Sequence, residues 1–353
     1  MSHFSPIRLH EDLARLIEPV QNLVQLDSVT AIEFQGHSFP IPIIHMGSRD
    51  PSAPAVAYIG GVHGLERIGT EVVLAFLRSL IGRMRWDPSI QVLLERVHII
   101  FLPVMNPVGL VQRTRSNGQG VDLMRNAPQD ALGRVPWLVG GHRISPRIPW
   151  YRGIKDAPMQ PEAQALCNSV RQHLFGRPLA IAMDCHSGFG ILDRIWFPYA
   201  RQHVPAYHLP EAFALRHLFN ETYPQHSFYQ MEPQSVIYCT HGDLWDFLYE
   251  EHINLHEGVF LPFTLEMGSW SWVQKNPRQL FSLFGHFNPI LPHRLERVLR
   301  RHLTLLTFLI QAAASGPSWL PESKQRDKAL QAALERWYPQ QSNHSAKAHP
   351  PAF

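Results

Sequence analysis

Residues 59–68 read IGGVHGLERI, and this stretch decides how the rest of the chain is interpreted. It ends an apolar run that is typical of a buried strand, and it presents His63 and Glu66 directly after two glycines. Polar residues are common in the turns that follow strands, so the pair has an ordinary explanation. The same two residue types could also form half of a metal site. Whether this is an ordinary turn or a metal site depends on which residues follow the other buried strands.

The composition is that of a globular protein. The chain has 353 residues, of which 45% are hydrophobic and 17% charged, and it is long enough to bury a large core. Its net charge of +3 is small and gives no reason to expect nucleic acid as a partner. The 3 scattered cysteines predict no disulfide framework and indicate a reducing compartment. Since we find neither a signal peptide nor an apolar run long enough to cross a membrane, we expect a cytoplasmic protein without a membrane partner. The oligomeric state stays open.

Buried strands alternate with amphipathic helices along the chain. This rhythm predicts an α/β fold with a mixed, mostly parallel central sheet flanked by helices on both faces. We divide the chain into three parts: an N-terminal extension of helix (8–25) and strand over 1–50, the main domain over 51–315, and a C-terminal helix with a flexible tail over 316–353.

We predict four buried strands, in the segments PAVAYIGG (54–61), RVHIIFLPVMNP (96–107), LAIAMDCHSGFG (179–190) and GVFLPFTLEMGS (258–269). Three of them end in a residue that can bind metal or carry a proton. These residues are His63, His186 and Glu266. In open α/β sheets, ligands bind at the carboxyl ends of the strands. Two imidazoles and the Glu66 carboxylate would leave one position of a zinc ion open, as in catalytic zinc sites. Glu266 could then take a proton from the attacking water. We therefore predict one Zn²⁺ per chain.

Seven segments, three of which contain the residues named above, strengthen this interpretation because they resemble, in order, the zinc metallocarboxypeptidases related to carboxypeptidase A. The resemblance extends over about residues 55–314. It is carried by GGVHGLE (60–66), MNPVGL (105–110), RSNGQGVDLMRN (115–126), WYRG with QPEAQAL (150–166), DCHSG (184–188), IYCTHGDLWD (237–246) and FTLEMG (263–268).

The resemblance implies a role for each residue at the metal. His63, Glu66 and His186 would hold the zinc, and Glu266 would be the general base and later the proton donor to the leaving amine. Arg115 would polarise the scissile carbonyl and stabilise the oxyanion.

Other roles concern the substrate and the ligand histidine. Arg125 would grip the C-terminal carboxylate of a peptide, and Tyr238 would close over it. Asp122 would fix the tautomer of His63. Met124 stands where the family has an asparagine amide, and a thioether donates no hydrogen bond. Either Asn126 or another loop residue compensates, or the substrate differs.

The specificity pocket has several interpretations. Trp245 occupies the position that forms the pocket floor in the family, where it could shrink the pocket or form an apolar wall, or it could belong to the core. Asp243 could attract a basic side chain or be solvated. The segment 131–150 could be a lid over the site or a long surface loop.

Three functions remain open at this stage. We prefer a metallocarboxypeptidase that hydrolyses the C-terminal peptide bond of peptides. The alternative is a zinc amidohydrolase that acts on N-acyl amino acids, like succinylglutamate desuccinylase and aspartoacylase, or on cell-wall peptide fragments. A binding protein without activity is disfavoured, because the three ligands and the base are all present.

Overall fold

A computed structural model describes residues 8–339, and the predicted tail beyond residue 339 lies outside the described residues. Within this range a single sheet of eight strands runs through the molecule in the order β1-β2-β4-β3-β5-β8-β6-β7. Its strands are β1 (Val24–Phe34), β2 (His37–Gly47), β3 (Ala55–Gly60), β4 (His98–Leu102), β5 (Leu179–Ser187), β6 (Asp193–Phe197), β7 (Tyr229–Pro233) and β8 (Val259–Met267).

The middle of the sheet is parallel. β3 pairs in parallel with both β4 and β5, and β5 pairs in parallel with β8. Antiparallel pairs join β1 to β2, β2 to β4, and β6 to β8, whereas the outer pair of β6 and β7 is parallel again. The predicted mixed, mostly parallel sheet is confirmed. Because β3, β5 and β8 lie side by side in one direction, the residues that follow them meet at one edge of the sheet.

Helices cover both faces of the sheet. They are α1 (Leu9–Ile17), α2 (Arg67–Met84), α3 (Pro88–Leu94), α4 (Pro107–Gln112), α5 (Pro161–His173), α6 (Leu209–Thr222), α7 (Leu244–Leu255), α8 (Trp270–Lys275), α9 (Leu283–Phe287), α10 (Pro292–Ala314) and α11 (Ser323–Trp337). The larger core lies under α2, α6 and α10, and a second core lies under α5 and α7. Alternate residues of the central strands supply the two cores, which is why those strands read as continuous apolar runs.

The N-terminal part corrects one prediction. The helix expected over 8–25 ends at Ile17, where a 3₁₀ turn containing Pro19 follows, and residue 24 already belongs to β1. Pro40 and Pro42, which cannot donate a backbone hydrogen bond, lie inside β2. They pair only with β1, since β2 contacts β4 only from residue 44 onward. At these two positions β2 has only β1 as a neighbour, so neither proline has to donate a hydrogen bond to a second strand.

The C-terminal part packs on the same chain. α11 lies against α6, the Arg326 guanidinium donates to Glu211 at 2.7 Å, and the indole of Trp337 donates to the carbonyl of Met231 at 3.0 Å. Among residues 8–339, helices of the length and apolarity needed to cross a membrane are absent.

Candidate metal centre and substrate cavity

Two histidines and one glutamate converge where β3 and β5 end. The Nδ1 atom of His63 lies 3.0 Å from Oε1 of Glu66, and the Nδ1 atom of His186 lies 3.0 Å from Oε2 of the same carboxylate. The two Nδ1 atoms are 3.1 Å apart. All three side chains are buried. Donor atoms around a tetrahedral zinc ion are about 3.3 Å apart, so this group has the spacing and the chemistry of a zinc site.

The loop between β3 and α2 presents His63 and Glu66. Gly61 has φ +65, a left-handed conformation that favours glycine. Gly64 has no room for a side chain, because a Cβ there would collide with the backbone of Gly109. Glu66 directly precedes α2, so its carboxylate is fixed at the start of a long helix.

Asn288 braces the same loop from a distant part of the chain. Its Oδ1 accepts from the Ile68 amide at 2.9 Å, and its Nδ2 donates to the Leu65 carbonyl at 2.8 Å. This side chain therefore bonds the backbone on both sides of Glu66.

A buried carboxylate stands behind each histidine. His63 Nε2 bonds Oδ1 of Asp122 at 3.0 Å, and His186 Nε2 lies 2.8 Å from Oδ2 of Asp184. An ionised carboxylate only accepts, so it favours a proton on Nε2 and would leave the lone pair of Nδ1 available to a bound metal ion. Asp122 thus occupies its predicted place. Asp184 was missed, although its position two residues before His186 on a strand puts both side chains on one face.

The cationic side chains of the centre keep two of its carboxylates, Glu66 and Asp122, ionised. Burial alone raises the pKa of Glu66, but His63 and His186 more than offset it and hold the pKa below its usual value. Burial likewise opposes ionisation of Asp122, yet Arg115 and His63 hold its pKa well below the usual range.

Glu266 faces the centre from β8. It pairs in register with His186 across the parallel strands, so the two side chains lie on the same face of the sheet. Burial, and next the negative charge of Glu66, raise the pKa of Glu266 to about 7. A carboxyl group with a pKa near neutrality can both take up and return a proton, as a general base and acid must.

Arg115 lies at the centre, whereas Arg113, two residues earlier in the chain, does not. Arg115 Nη1 donates to Oε1 of Glu66 at 2.9 Å, and its Nε donates to Oδ2 of Asp122 at 2.8 Å. The guanidinium of Arg113 instead lies over the ring of Phe284, 5.4 Å from its centroid.

Arg125 is a buried cation that faces the cavity beside the centre. One of its nitrogens makes a long bond, 3.3 Å, to the Met124 carbonyl, and within residues 8–339 its Nε has no hydrogen-bond partner. Tyr238 lies close enough for the cation of Arg125 to affect its pKa, which burial raises overall. Met124 lies in the same cavity wall. The structure therefore brings together Arg125 and Tyr238, the two residues assigned to a substrate carboxylate, and places Met124 beside them.

Two predicted substrate contacts lie elsewhere. Trp245 does not line the cavity; it is buried in the core, and its indole donates to Asp184 at 3.0 Å. Asn126 is also absent from the lining, because its amide donates to the Arg152 carbonyl and accepts from the Gln160 amide. It cannot replace the amide missing at position 124.

Asp243 is buried, so the interpretation that it is solvated is wrong, whereas its place in the cavity wall leaves the attraction of a basic side chain open. Its Oδ1 caps α7 by accepting from two backbone amides of that helix at 3.0 Å, and the residue also lines the cavity. Burial raises its pKa.

These groups open into a cavity of about 540 Å³. Residues 146–150 and Val139, all from the segment 131–150, form part of its wall. Among the described lining residues, four arginines (113, 115, 125 and 147) stand against two carboxylates (243 and 266). The cavity therefore favours a ligand that carries negative charge.

Cys185 is not part of the centre. Burial raises the pKa of its thiol well above the usual value, and it packs in the larger core on the opposite face of β5 from His186.

Comparison with known families and sequences agrees with this geometry. The model of the zinc carboxypeptidase family matches residues 22–275. Carboxypeptidase E from Caenorhabditis elegans is 40% identical over 156 residues, which cover 40% of this chain and 32% of that protein. Carboxypeptidase SOL1 from Arabidopsis thaliana is 36% identical over 95 residues, which cover 26% of this chain and 19% of that protein. The matched segments thus span about a third or less of these relatives.

Solved structures share the fold. Carboxypeptidase A from Helicoverpa armigera superposes with a TM-score of 0.64 at 19% identity, over 87% of this chain and 72% of that chain. Bovine thrombin-activatable fibrinolysis inhibitor, solved in complex with a tick carboxypeptidase inhibitor, superposes with a TM-score of 0.63 at 16% identity, over 89% of this chain and 98% of that chain.

Proposed function

Because the chain belongs to the zinc carboxypeptidase family, we propose that it is a metallocarboxypeptidase that hydrolyses the C-terminal peptide bond of peptides. The observation that carries the proposal is one cavity lined by the two histidines of the His63, Glu66 and His186 donor set, by the half-buried carboxyl group of Glu266, and by the buried Arg125 with its unpartnered nitrogen. The family match favours this function over the amidohydrolase alternative.

His63, Glu66 and His186 would hold one zinc ion through Nδ1, a carboxylate oxygen and Nδ1. A bound zinc ion supplies Lewis acidity, which polarises a carbonyl and lowers the pKa of water. Asp122 and Asp184 orient the two rings for this task. The donor set also excludes the hard ions Mg²⁺ and Ca²⁺, which prefer oxygen ligands.

Glu266 is the proton carrier in this proposal. It takes a proton from the attacking water and returns it to the leaving amine, which its pKa of about 7 permits. Arg115 lines the cavity beside the ligands, so its cation can stabilise the negative charge that develops on the carbonyl oxygen.

Arg125 would recognise the free carboxylate of the substrate. The unpartnered Nε is a donor without an acceptor in the protein, and a carboxylate supplies acceptors that match a guanidinium. Tyr238 would donate to the same group. Met124 adds no hydrogen bond, so we expect Arg125 to provide most of the recognition.

The cytoplasmic location is also a proposal. It is supported by Cys167, Cys185 and Cys239, which are free and buried, as expected of a protein from a reducing compartment.

A paired peptide library tests the function. We would compare kcat/KM on peptides with free and with amidated C-termini, adding N-acyl amino acids, for wild type and for Arg125→Gln. A lost hydrogen bond to a charged group costs about 1.5–3 kcal/mol, so Arg125→Gln should lower kcat/KM about 10- to 150-fold on free termini only.

Arg113→Gln is the matched control, since Arg113 lines the same cavity but rests on Phe284. Cleavage of acyl amino acids with no cleavage of peptides would replace the carboxypeptidase by the amidohydrolase.

A further inference from the structure

A second group of three histidines lies in the protein, outside the centre described above. His45 belongs to β2, His98 begins β4, and His173 ends α5. Their rings are close: the centroids of His45 and His173 are 4.7 Å apart, and His98 lies 5.7 Å and 5.8 Å from the other two. One nitrogen from each ring lies within 4.8 Å of one nitrogen from each of the others.

The fold brings these rings together at the opposite edge of the sheet. His98 pairs with Ala55 at the beginning of β3, whereas His63 follows the end of that strand. From Ala55 to Gly60 the strand advances five steps of about 3.3 Å, so the two groups of histidines are separated by about 16 Å or more. No residue is shared between them.

The burial of these rings is unusual for polar groups without partners. His98 is 1% exposed and His45 is 5% exposed. Within residues 8–339, neither ring nitrogen of His98 has a hydrogen-bond partner of acceptable geometry, and neither has Nδ1 of His45. Buried polar atoms are nearly always satisfied, so unpartnered nitrogens on converging rings call for a ligand.

We propose that His45, His98 and His173 bind a second metal ion, a divalent transition metal of the zinc class. Three imidazoles suit Zn²⁺, Cu²⁺ or Ni²⁺ and do not suit Mg²⁺ or Ca²⁺. The ion would join the end of α5 to β2 and β4, and would satisfy ring nitrogens that now have no partner. Its role would be structural, because His45 and His98 are almost fully buried and leave a substrate no access to the ion.

The surroundings are compatible with neutral ligands. Burial, and next the neighbouring His173, lower the pKa of His45 to about 3. Burial and Arg177 lower that of His98 to about 4, with a small opposing effect of the Ser48 backbone. Both rings are therefore neutral near pH 7, the form that binds metal.

Two arginines near the group are already engaged. Arg177 donates to the carbonyls of Asp50 and Ala53 at 2.5 and 2.9 Å, and Arg49 donates to Gln25 at 2.8 Å. Their charges would repel a bare cation, so we expect the fourth position on the metal to hold an anion such as hydroxide or chloride.

Metal stoichiometry tests this proposal with Zn²⁺ as the probe. Purified full chain would be loaded with zinc, dialysed against a weak chelator, and analysed by elemental analysis. We expect two ions per wild-type chain and one in His173→Phe, which keeps a ring at this half-buried position but removes its nitrogens. His186→Ala should also retain one ion, held by the second group.

The matched control is His226→Phe, another half-buried histidine that lies among aromatic rings far from both groups. It should retain two ions. His173→Phe should keep peptidase activity, since it touches nothing at the active centre. A Co²⁺ derivative gives a second measurement, because removal of His173 should abolish one of two sets of visible absorption bands.

A single ion per wild-type chain at saturating zinc, or equal zinc in wild type and His173→Phe, would overturn the proposal. Failure of the carboxypeptidase assay would not, because stoichiometry is independent of activity.

Discussion

One group of histidines lies at the carboxyl ends of the parallel strands and a second group lies near their amino ends, and the two groups differ in the residues that surround the rings. At the carboxyl end, His63 and His186 are each backed by a buried aspartate and share Glu66. At the amino end, His45 and His98 have no carboxylate in their group and lie near two arginines.

The difference separates two tasks that the same residue type can perform. Carboxylates around imidazole raise its basicity, fix its tautomer and provide a proton carrier nearby. A metal site with these carboxylates, open to a cavity that a substrate can enter, is suited to catalysis. Imidazoles that are buried between a helix and two strands, as His45 and His98 are, suit an ion that stabilises the fold. The comparison can be tested at three points.

The largest difference should be in turnover. Glu266→Gln should lower kcat by about 10²–10⁴-fold, because a neutral amide cannot accept a proton. His173→Phe, at the other end, should leave kcat unchanged. Both enzymes would be assayed on the same free-terminus peptide, with zinc content measured in parallel. Normal turnover by a zinc-loaded Glu266→Gln protein would remove Glu266 from its assigned role.

An intermediate effect should come from the aspartate behind His186. Asp184→Asn should weaken zinc binding about 10- to 100-fold at the active centre, because the His186 ring would be less firmly oriented and less basic. Chelator competition would measure the affinity, and Asp27→Asn on the outer strand β1 would be the control. Unchanged affinity combined with a lower melting temperature would instead mean that Asp184 only holds Trp245 in the core.

The smallest effect concerns protonation in the metal-free protein. Burial alone would lower the pKa of His186, but Asp184 and Glu66 more than offset it, so the pKa is raised well above its usual value. NMR of ¹⁵N-labelled histidine in the chelated protein should show His186 charged at pH 7 and His98 neutral down to about pH 4.

The two rings should therefore affect stability in opposite directions. His186 stabilises the metal-free fold below about pH 6.5, and this contribution is lost as the pH rises through its raised pKa. His98 acts in reverse: stability falls as the pH falls from about 6.5 to about 4, because only the unfolded chain binds the proton. If His186 and His98 titrated with the same pKa, the predicted difference between the two groups of histidines would be wrong.

The ends of the buried strands could be predicted from sequence alone. His63, His186 and Glu266 follow long apolar runs, and a parallel sheet has to bring such ends together. The geometry agrees with their predicted places, and also with that of Asp122, which the family resemblance supplied.

Contacts between distant segments could not be predicted. Trp245 belongs to the core because Asp184, 61 residues away, accepts from its indole, and Asn126 is occupied by Arg152 and Gln160. The strands β6 and β7 are short and lack the long apolar runs of the centre, so they escaped notice. The second group of histidines could not be recognised in the sequence. His45 lies near the end of β2, His98 begins β4 and His173 ends α5, and these three elements meet only in the folded protein.

Asn288 has a practical consequence for the design of shorter versions of the protein. It lies beyond residue 275, where the family match ends, yet its amide bonds the backbone on both sides of Glu66. Cutting the gene at that homology boundary would remove the support of the metal-binding loop while leaving every ligand in place. An expression clone intended to be active should therefore extend past Asn288.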